Sequence, residues 1–149
     1  MRTKLRKART QDFDYCAHLY FAGMEKTIQA LNLSMTAQVA NFRKQWDVMQ
    51  VRIITLDGAD IGWVQSVTQD GSLFLAQFFV DAIFQRQGIG SEVMRRLIHE
   101  AAVAGQAVTL GVVKTNPALH LYERLGFRVT HADDRKFYMR RDPENGYSN

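Results

Sequence analysis

Apolar residues along this chain switch repeatedly between the two-residue period of a strand and the longer period of a helix. Thr3 to Ala8 reads as a strand, and Thr10 is the expected cap of the helix behind it, with Asp12 and Asp14 near the positive end of the helix dipole. Phe13, Cys16, Ala17 and Tyr20 carry that helix's apolar stripe. Met35, Val39, Phe42 and Trp46 predict a second helix with one apolar face. Val51 to Leu56 is β-rich, Asp57-Gly58 signals a hairpin, and Ile61 to Val67 resumes a strand. Another turn, Gln69 to Ser72, leads into Leu73 to Val80, which is apolar on both faces apart from Gln77, as expected of a buried central strand.

Beyond Val80 the pattern changes, and the glycine loop in Asp81-Ala82-Ile83-Phe84-Gln85-Arg86-Gln87-Gly88-Ile89-Gly90-Ser91 opens a helix on which Val93, Met94, Leu97, Ile98 and Ala101 share a face. That helix stops at Gly105, and Ala107 to Lys114 is again β-rich. Asn116-Pro117 caps and starts a short helix containing Leu119, Leu121, Tyr122 and Leu125, which Gly126 ends. Arg128 to His131 and Lys136 to Arg140 read as two closing strands.

Length and composition narrow the class without naming a partner. With 149 residues, 46% hydrophobic and 23% charged, the chain suits one domain over 1–149, with a frayed polar tail over 142–149. Nineteen Lys and Arg against fifteen Asp and Glu give a charge of +4, compatible with an anionic ligand. These basic residues are scattered, so a nucleic-acid binder ranks last among the functional readings. A lone Cys16 permits no internal disulfide, its stripe makes it a small core residue, and no clustered ligands suggest a metal. Neither a secretory signal nor a membrane-spanning run is visible, so the expected location is cytoplasmic.

A strand, a loop with two glycines one residue apart, and a helix together form a candidate anion site, because open amides and the helix dipole both favour phosphate oxygens. An ordinary tight turn fits the same pattern. The loop lacks the Gly-Lys-Ser/Thr of the Walker motif and the third glycine of the dinucleotide fingerprint.

Gln85-Arg86-Gln87-Gly88-Ile89-Gly90 resembles the Gln/Arg-x-x-Gly-x-Gly/Ala signature of GNAT-type N-acetyltransferases. Asn116-Pro117-Ala118 followed by Leu121-Tyr122-Glu123-Arg124-Leu125-Gly126-Phe127 is similar to that family's Asn…Tyr…Gly-Phe segment. The element order agrees over almost the whole chain. This resemblance implies an α/β (α+β) acyl-CoA N-acyltransferase fold: a central mixed, mostly antiparallel sheet flanked by helices, in the order strand, two helices, three strands, helix, strand, helix, two strands.

The resemblance also implies acetyl-CoA as co-substrate, a primary amine as acceptor, direct attack in a ternary complex, and no metal. Arg86, Gly88, Gly90 and Ser91 would contact the pyrophosphate, with Gln85, Gln87 and Ile89 completing the cofactor-binding loop and Asn116 also contacting the coenzyme. Relatives grip the pantetheine arm with the backbone at the end of the strand, here Phe78, Phe79 and Val80. Tyr122 matches the general acid that protonates the departing thiolate; residue type alone would make it a core aromatic. Many relatives carry a glutamate base on the fourth strand, where this chain has only Gln77. Glu25, His18 and Asp81 are the remaining base candidates, each also readable as a solvated or capping group, and Glu25 is equally a candidate contact for a cationic amine. Tyr20, Trp63 and Gln65 are candidate acceptor contacts, with Phe21 and Trp46 as further candidates and Trp46 favoured as core. A homodimer is compatible with the family. A coenzyme-binding module without catalysis is the main alternative.

Overall fold

The computed structural model describes residues 3–143. Seven strands and four helices follow in the expected order: β1 (Thr3–Lys7), α1 (Phe13–Ala30), α2 (Met35–Gln45), β2 (Val51–Leu56), β3 (Ala59–Gln69), β4 (Ser72–Val80), α3 (Ile89–Val103), β5 (Ala107–Val113), α4 (Ala118–Arg124), β6 (Arg128–Ala132) and β7 (Lys136–Arg141). The strands hydrogen-bond in the order β1-β2-β3-β4-β5-β7-β6. The sheet is mixed, since β4 and β5 run parallel while β1–β2, β2–β3, β5–β7 and β6–β7 are antiparallel. The chain divides into two compact units, one containing residues up to Gln65 together with Gln77–Gln85, the other Ser66–Ala76 together with residues from Arg86 onward.

In the first unit, Cys16 and Leu19 of α1, Phe42 of α2, and Val51, Ile53 and Trp63 of β2 and β3 form a buried cluster. Cys16 is fully buried and its thiol is pushed up to about 12 by desolvation, so it packs as an inert core group, as its place on the apolar stripe predicts. The expected cap does not form at Thr10, which instead opens a short 3-10 turn, Thr10–Asp12, and α1 begins after Asp12. The Asp12 carboxylate makes no bond to the α1 amides; it accepts two bonds of 3.0 Å from the Arg6 guanidinium and one of 2.8 Å from the Arg9 N–H, which hold the turn ahead of the helix. Arg6 also donates to Asp60 at 3.0 Å. One guanidinium thus joins β1, the start of α1 and β3.

The apolar face expected on α2 is only half used. Phe42 is buried among Phe13, Tyr20, Phe21 and Trp63, but Met35 and Val39 are 51% and 42% exposed. Trp46 lies just past the helix end, where the backbone becomes extended, and meets Phe13 edge-on at 5.4 Å.

In the second unit, Ile89, Val93, Met94, Leu97 and Ala101 make the buried stripe of α3, which packs on β5. β4 pairs with β5 over Ser72–Leu75 against Ala107–Leu110, and then continues to Val80. The sequence predicts burial along all of β4; the structure leaves every residue from Gln77 to Val80 half-buried. Asp142, where the polar tail was expected to start, accepts bonds from Arg140 at 2.7 Å and Arg128 at 3.2 Å, and residues 144–149 lie outside the described residues.

Candidate functional site

At the start of α3 the backbone takes two left-handed steps, at Arg86 with φ 63° and at Gly88 with φ 79°. Such a conformation costs a side-chain-bearing residue about 1–2 kcal/mol, so it persists at Arg86 only because the surrounding chain enforces it. Gly88 is the N-terminal boundary residue of α3 and no side chain caps the helix; the Gly88 carbonyl accepts from the Glu92 N–H at 3.0 Å. The amides of Ile89, Gly90 and Ser91 in this first turn therefore have no intrahelical acceptor, and the helix dipole adds positive potential there. Sequence reasoning identified this segment correctly as the loop that opens a helix, and the geometry suits an anion.

The second motif has a local physical cause. Asn116 Oδ1 accepts from the Ala118 N–H at 2.9 Å and so caps α4, which leaves its amide NH₂ as the group able to meet a ligand. At the other end, Gly126 with φ 93° turns the chain back, its N–H reaching the Glu123 carbonyl at 3.1 Å and the Phe127 N–H reaching the Tyr122 carbonyl at 3.0 Å. This closure sets Phe127 edge-on to Tyr122, ring centroids 5.8 Å apart. Tyr122 is 8% exposed, and burial pushes its phenol up to about 12. It is a core aromatic in packing and a protonated donor at every ordinary pH.

In the first unit, Phe79 stacks on Trp63 at 5.5 Å and meets Tyr20 edge-on at 5.4 Å. The Gln85 side chain donates to the Val80 carbonyl at 2.9 Å and ties the loop to the end of β4. Asp81 Oδ1 accepts from the Ile83 N–H at 3.2 Å and caps the short turn Ala82–Phe84. Glu25 and His18 are exposed on α1.

Two expected acceptor contacts prove to be core groups. Trp63 has no exposed surface, and Gln65, 5% exposed, spends its amide on the Gln45 carbonyl and on Gln50 Oε1, both at 2.9 Å. Both lie on a strand whose residues Ile61 to Gln65 are buried without interruption. Tyr20 remains half-exposed beside Phe21, 4.9 Å between ring centroids. Among the described residues no His, Cys, Asp and Glu group is arranged to hold a metal ion, and no helix is long and apolar enough to cross a membrane.

Gly62 escaped sequence reasoning. A Cβ there would lie 2.3 Å from the Phe79 carbonyl oxygen. A glycine inside a β pattern is the signal that marks such a close approach.

Comparison with known proteins places these features in context. The model of the acetyltransferase (GNAT) domain matches residues 48–129. No curated protein matches. Among solved structures, the chain is similar to the PaiA N-acetyltransferase from Thermoplasma acidophilum in complex with coenzyme A, with TM-score 0.77 and 15% identity, over 95% of this chain and 99% of that one. It is similar also to the ribosomal-protein-S18-alanine N-acetyltransferase from Escherichia coli, with TM-score 0.69 and 22% identity, over 95% and 94% of the two chains. A third, a GNAT family acetyltransferase from Elizabethkingia anophelis with acetyl-CoA bound, gives TM-score 0.56 and 18% identity over 62% of this chain and 74% of that one. At these identities the structures speak for the fold. The family model spans more than half of the chain, between Val48 and Val129, and includes the glycine loop and the Tyr122–Phe127 segment: this chain belongs to the GNAT acetyltransferase family.

Proposed function

We propose that the protein transfers the acetyl group of acetyl-CoA to a primary amine by direct attack of the amine on the thioester in a ternary complex. The observation that carries this reading is the turn at Arg86–Ser91, where two left-handed residues precede an uncapped helix start within the family's signature. Coenzyme A carries a pyrophosphate, and open amides at a helix N-terminus are a suitable receptor for it. Arg86 adds a positive charge, Gln85, Gln87 and Ile89 shape the loop, and Gly88, Gly90 and Ser91 bring backbone close to the phosphates. Asn116 offers its free NH₂ to the coenzyme. Phe78, Phe79 and Val80 supply backbone groups to the pantetheine arm and polarise the thioester carbonyl as it gains negative charge.

We assign Tyr122 as the general acid toward the departing thiolate. A phenol near 12 is a weaker acid than a thiol near 8.5, so its main contribution is a hydrogen bond to the developing charge, and the benefit sits at the low end of general-acid catalysis, about 10²-fold. The bonds balance simply: nitrogen–carbon forms, carbon–sulfur breaks, the amine loses a proton and the sulfur gains one.

The attacking amine must first be neutral, and an ordinary alkyl amine is almost wholly protonated at neutral pH. Asp81 is engaged as a cap, and β4 offers only Gln77. Glu25, one helical turn beyond Phe21, is the carboxylate we assign to the amine, as base or as electrostatic contact. Tyr20 completes the acceptor side.

The missing strand carboxylate also supports a second reading, a coenzyme-binding module without turnover. Thiol release from acetyl-CoA, followed across a panel of amines, separates the two: amine-dependent thiol supports transfer, whereas binding with no release for any amine supports the module.

A further inference from the structure

The end of β4 is seated by β3 through an irregularity in that strand. Ile54 of β2 pairs with Gly62 and Thr55 with Asp60, so Ile61 is the extra residue of a β-bulge. Its carbonyl accepts the N–H of Asp81, the residue directly after β4, at 2.7 Å. Gly62 comes next. A Cβ added there would lie 2.3 Å from the Phe79 carbonyl oxygen and 3.1 Å from Val80 Cα, both backbone atoms. Because a strand's Cβ stands out of the sheet plane, the Phe79 carbonyl leans over the face of β3 where a side chain would otherwise stand.

The ring of the same residue is confined from elsewhere. Trp63, adjacent to Gly62 and therefore directed to the opposite face, stacks on Phe79 at 5.5 Å with 28° between the planes. On α1, a Cβ at Gly23 would meet two carbons of the Phe79 ring at 3.0 Å. Gly62 thus makes room for the backbone of Phe79 and Gly23 for its ring.

We infer that Gly62 is a positioning residue for the thioester: the bulge at Ile61 and the missing side chain at Gly62 set the backbone of Phe79 and Val80 where it receives the pantetheine arm. This rests on the reading that Phe78–Val80 bind that arm. Gly62 itself touches no substrate. Any side chain at position 62 must displace the Phe79 carbonyl; the displacement bears first on the arm, while the turn from Arg86 to Ser91, joined to Val80 through the Gln85 side chain, keeps the backbone angles that shape it.

The test compares two probes by calorimetry: acetyl-CoA, and 3′-phosphoadenosine 5′-diphosphate, the nucleotide half of the coenzyme without the arm. Gly62→Ala is expected to weaken acetyl-CoA binding about tenfold, the worth of one or two backbone hydrogen bonds, while leaving the nucleotide dissociation constant at its wild-type value. Unchanged acetyl-CoA affinity in folded Gly62→Ala overturns the inference, and so does a parallel loss for both probes, which would mark a general loss of structure. Failure of the wild type to bind acetyl-CoA at all would instead overturn the proposed function. Should Gly62→Ala not fold, Gly23→Ala decides, since alanine is the better helix former at that exposed site and crowds the same Phe79 from its ring side. A selective loss of acetyl-CoA affinity, smaller than tenfold, upholds the inference; wild-type affinity for acetyl-CoA overturns it.

Discussion

Gly62 and Gly88 are glycines for opposite reasons. Gly62 has ordinary strand backbone but no room, with the Phe79 carbonyl 2.3 Å from where a Cβ would stand. Gly88 has room, with nothing within 4 Å of an added Cβ, but its φ is 79°. The end of β4 is therefore held by crowding, and the start of α3 by backbone conformation. Crowding punishes every side chain, and more so the larger ones. A left-handed angle discriminates by residue type, since asparagine tolerates it far better than a β-branched residue.

The largest expected effect on turnover lies outside both glycines. Tyr122→Phe keeps the ring and its contact with Phe127, so acetyl-CoA affinity should stay near wild type while kcat falls about 10²-fold, roughly 2.7 kcal/mol. Because the phenol is pushed up to about 12, the shape of the pH–rate profile below pH 10 should not change in this variant. A wild-type kcat in Tyr122→Phe would leave water to protonate the thiolate.

Gly62→Ala should cost about 1–3 kcal/mol of stability in denaturant titrations, the usual range for overpacking, and Gly62→Val more. Gly88→Ala should cost about 1 kcal/mol, and here Gly88→Asn should recover most of it while Gly88→Val should not. If Asn rescued position 62, or failed to rescue position 88, the distinction between crowding and conformation would collapse.

The smallest effect concerns the anchor of the first unit. Its hydrogen bonds with Arg6, then with the Arg9 N–H, hold the Asp12 carboxyl below its usual range despite burial. A lowered folded-state value means the stabilisation is complete above the unfolded value near 3.8 and is lost as pH falls below it. Asp12→Asn should flatten the fall in stability between pH 5 and pH 2 seen in urea titrations; an unchanged slope would show that other carboxylates set it.

Which features were legible in the sequence follows the same physics. Element order was legible because apolar periodicity and turn residues such as Asp57-Gly58 are local signals. The loop and the Tyr122–Phe127 segment were legible because a left-handed glycine and a helix closure leave marks at fixed spacing. Burial was less so. Met35 and Val39 share a stripe with Phe42, yet only Phe42 meets a partner layer, and periodicity cannot say how far along a helix that layer extends. Trp63 and Gln65 were expected at the acceptor site from the resemblance, which does not say how deeply a side chain packs, whereas the run Ile61–Gln65 is buried on both faces. Thr10 does not cap α1 because the turn Thr10–Asp12 comes first, held by bonds from Asp12 to Arg6 and Arg9, and Arg6 lies on a different element. The role of Gly62 depends on a carbonyl seventeen residues away in sequence, at Phe79, and no local pattern carries that contact.

The central claim is that the turn from Arg86 to Ser91 receives the coenzyme, and ligand-induced stabilisation tests it most directly. Acetyl-CoA at a hundred times its dissociation constant should raise the unfolding free energy of the wild type by about 2.7 kcal/mol. The same titration with Gly88→Val should show little or none of that gain at the same concentration, because a β-branched residue resists the left-handed turn that aims the amides. A wild-type melting temperature that does not move with saturating acetyl-CoA, or a gain that survives intact in Gly88→Val, would contradict the account.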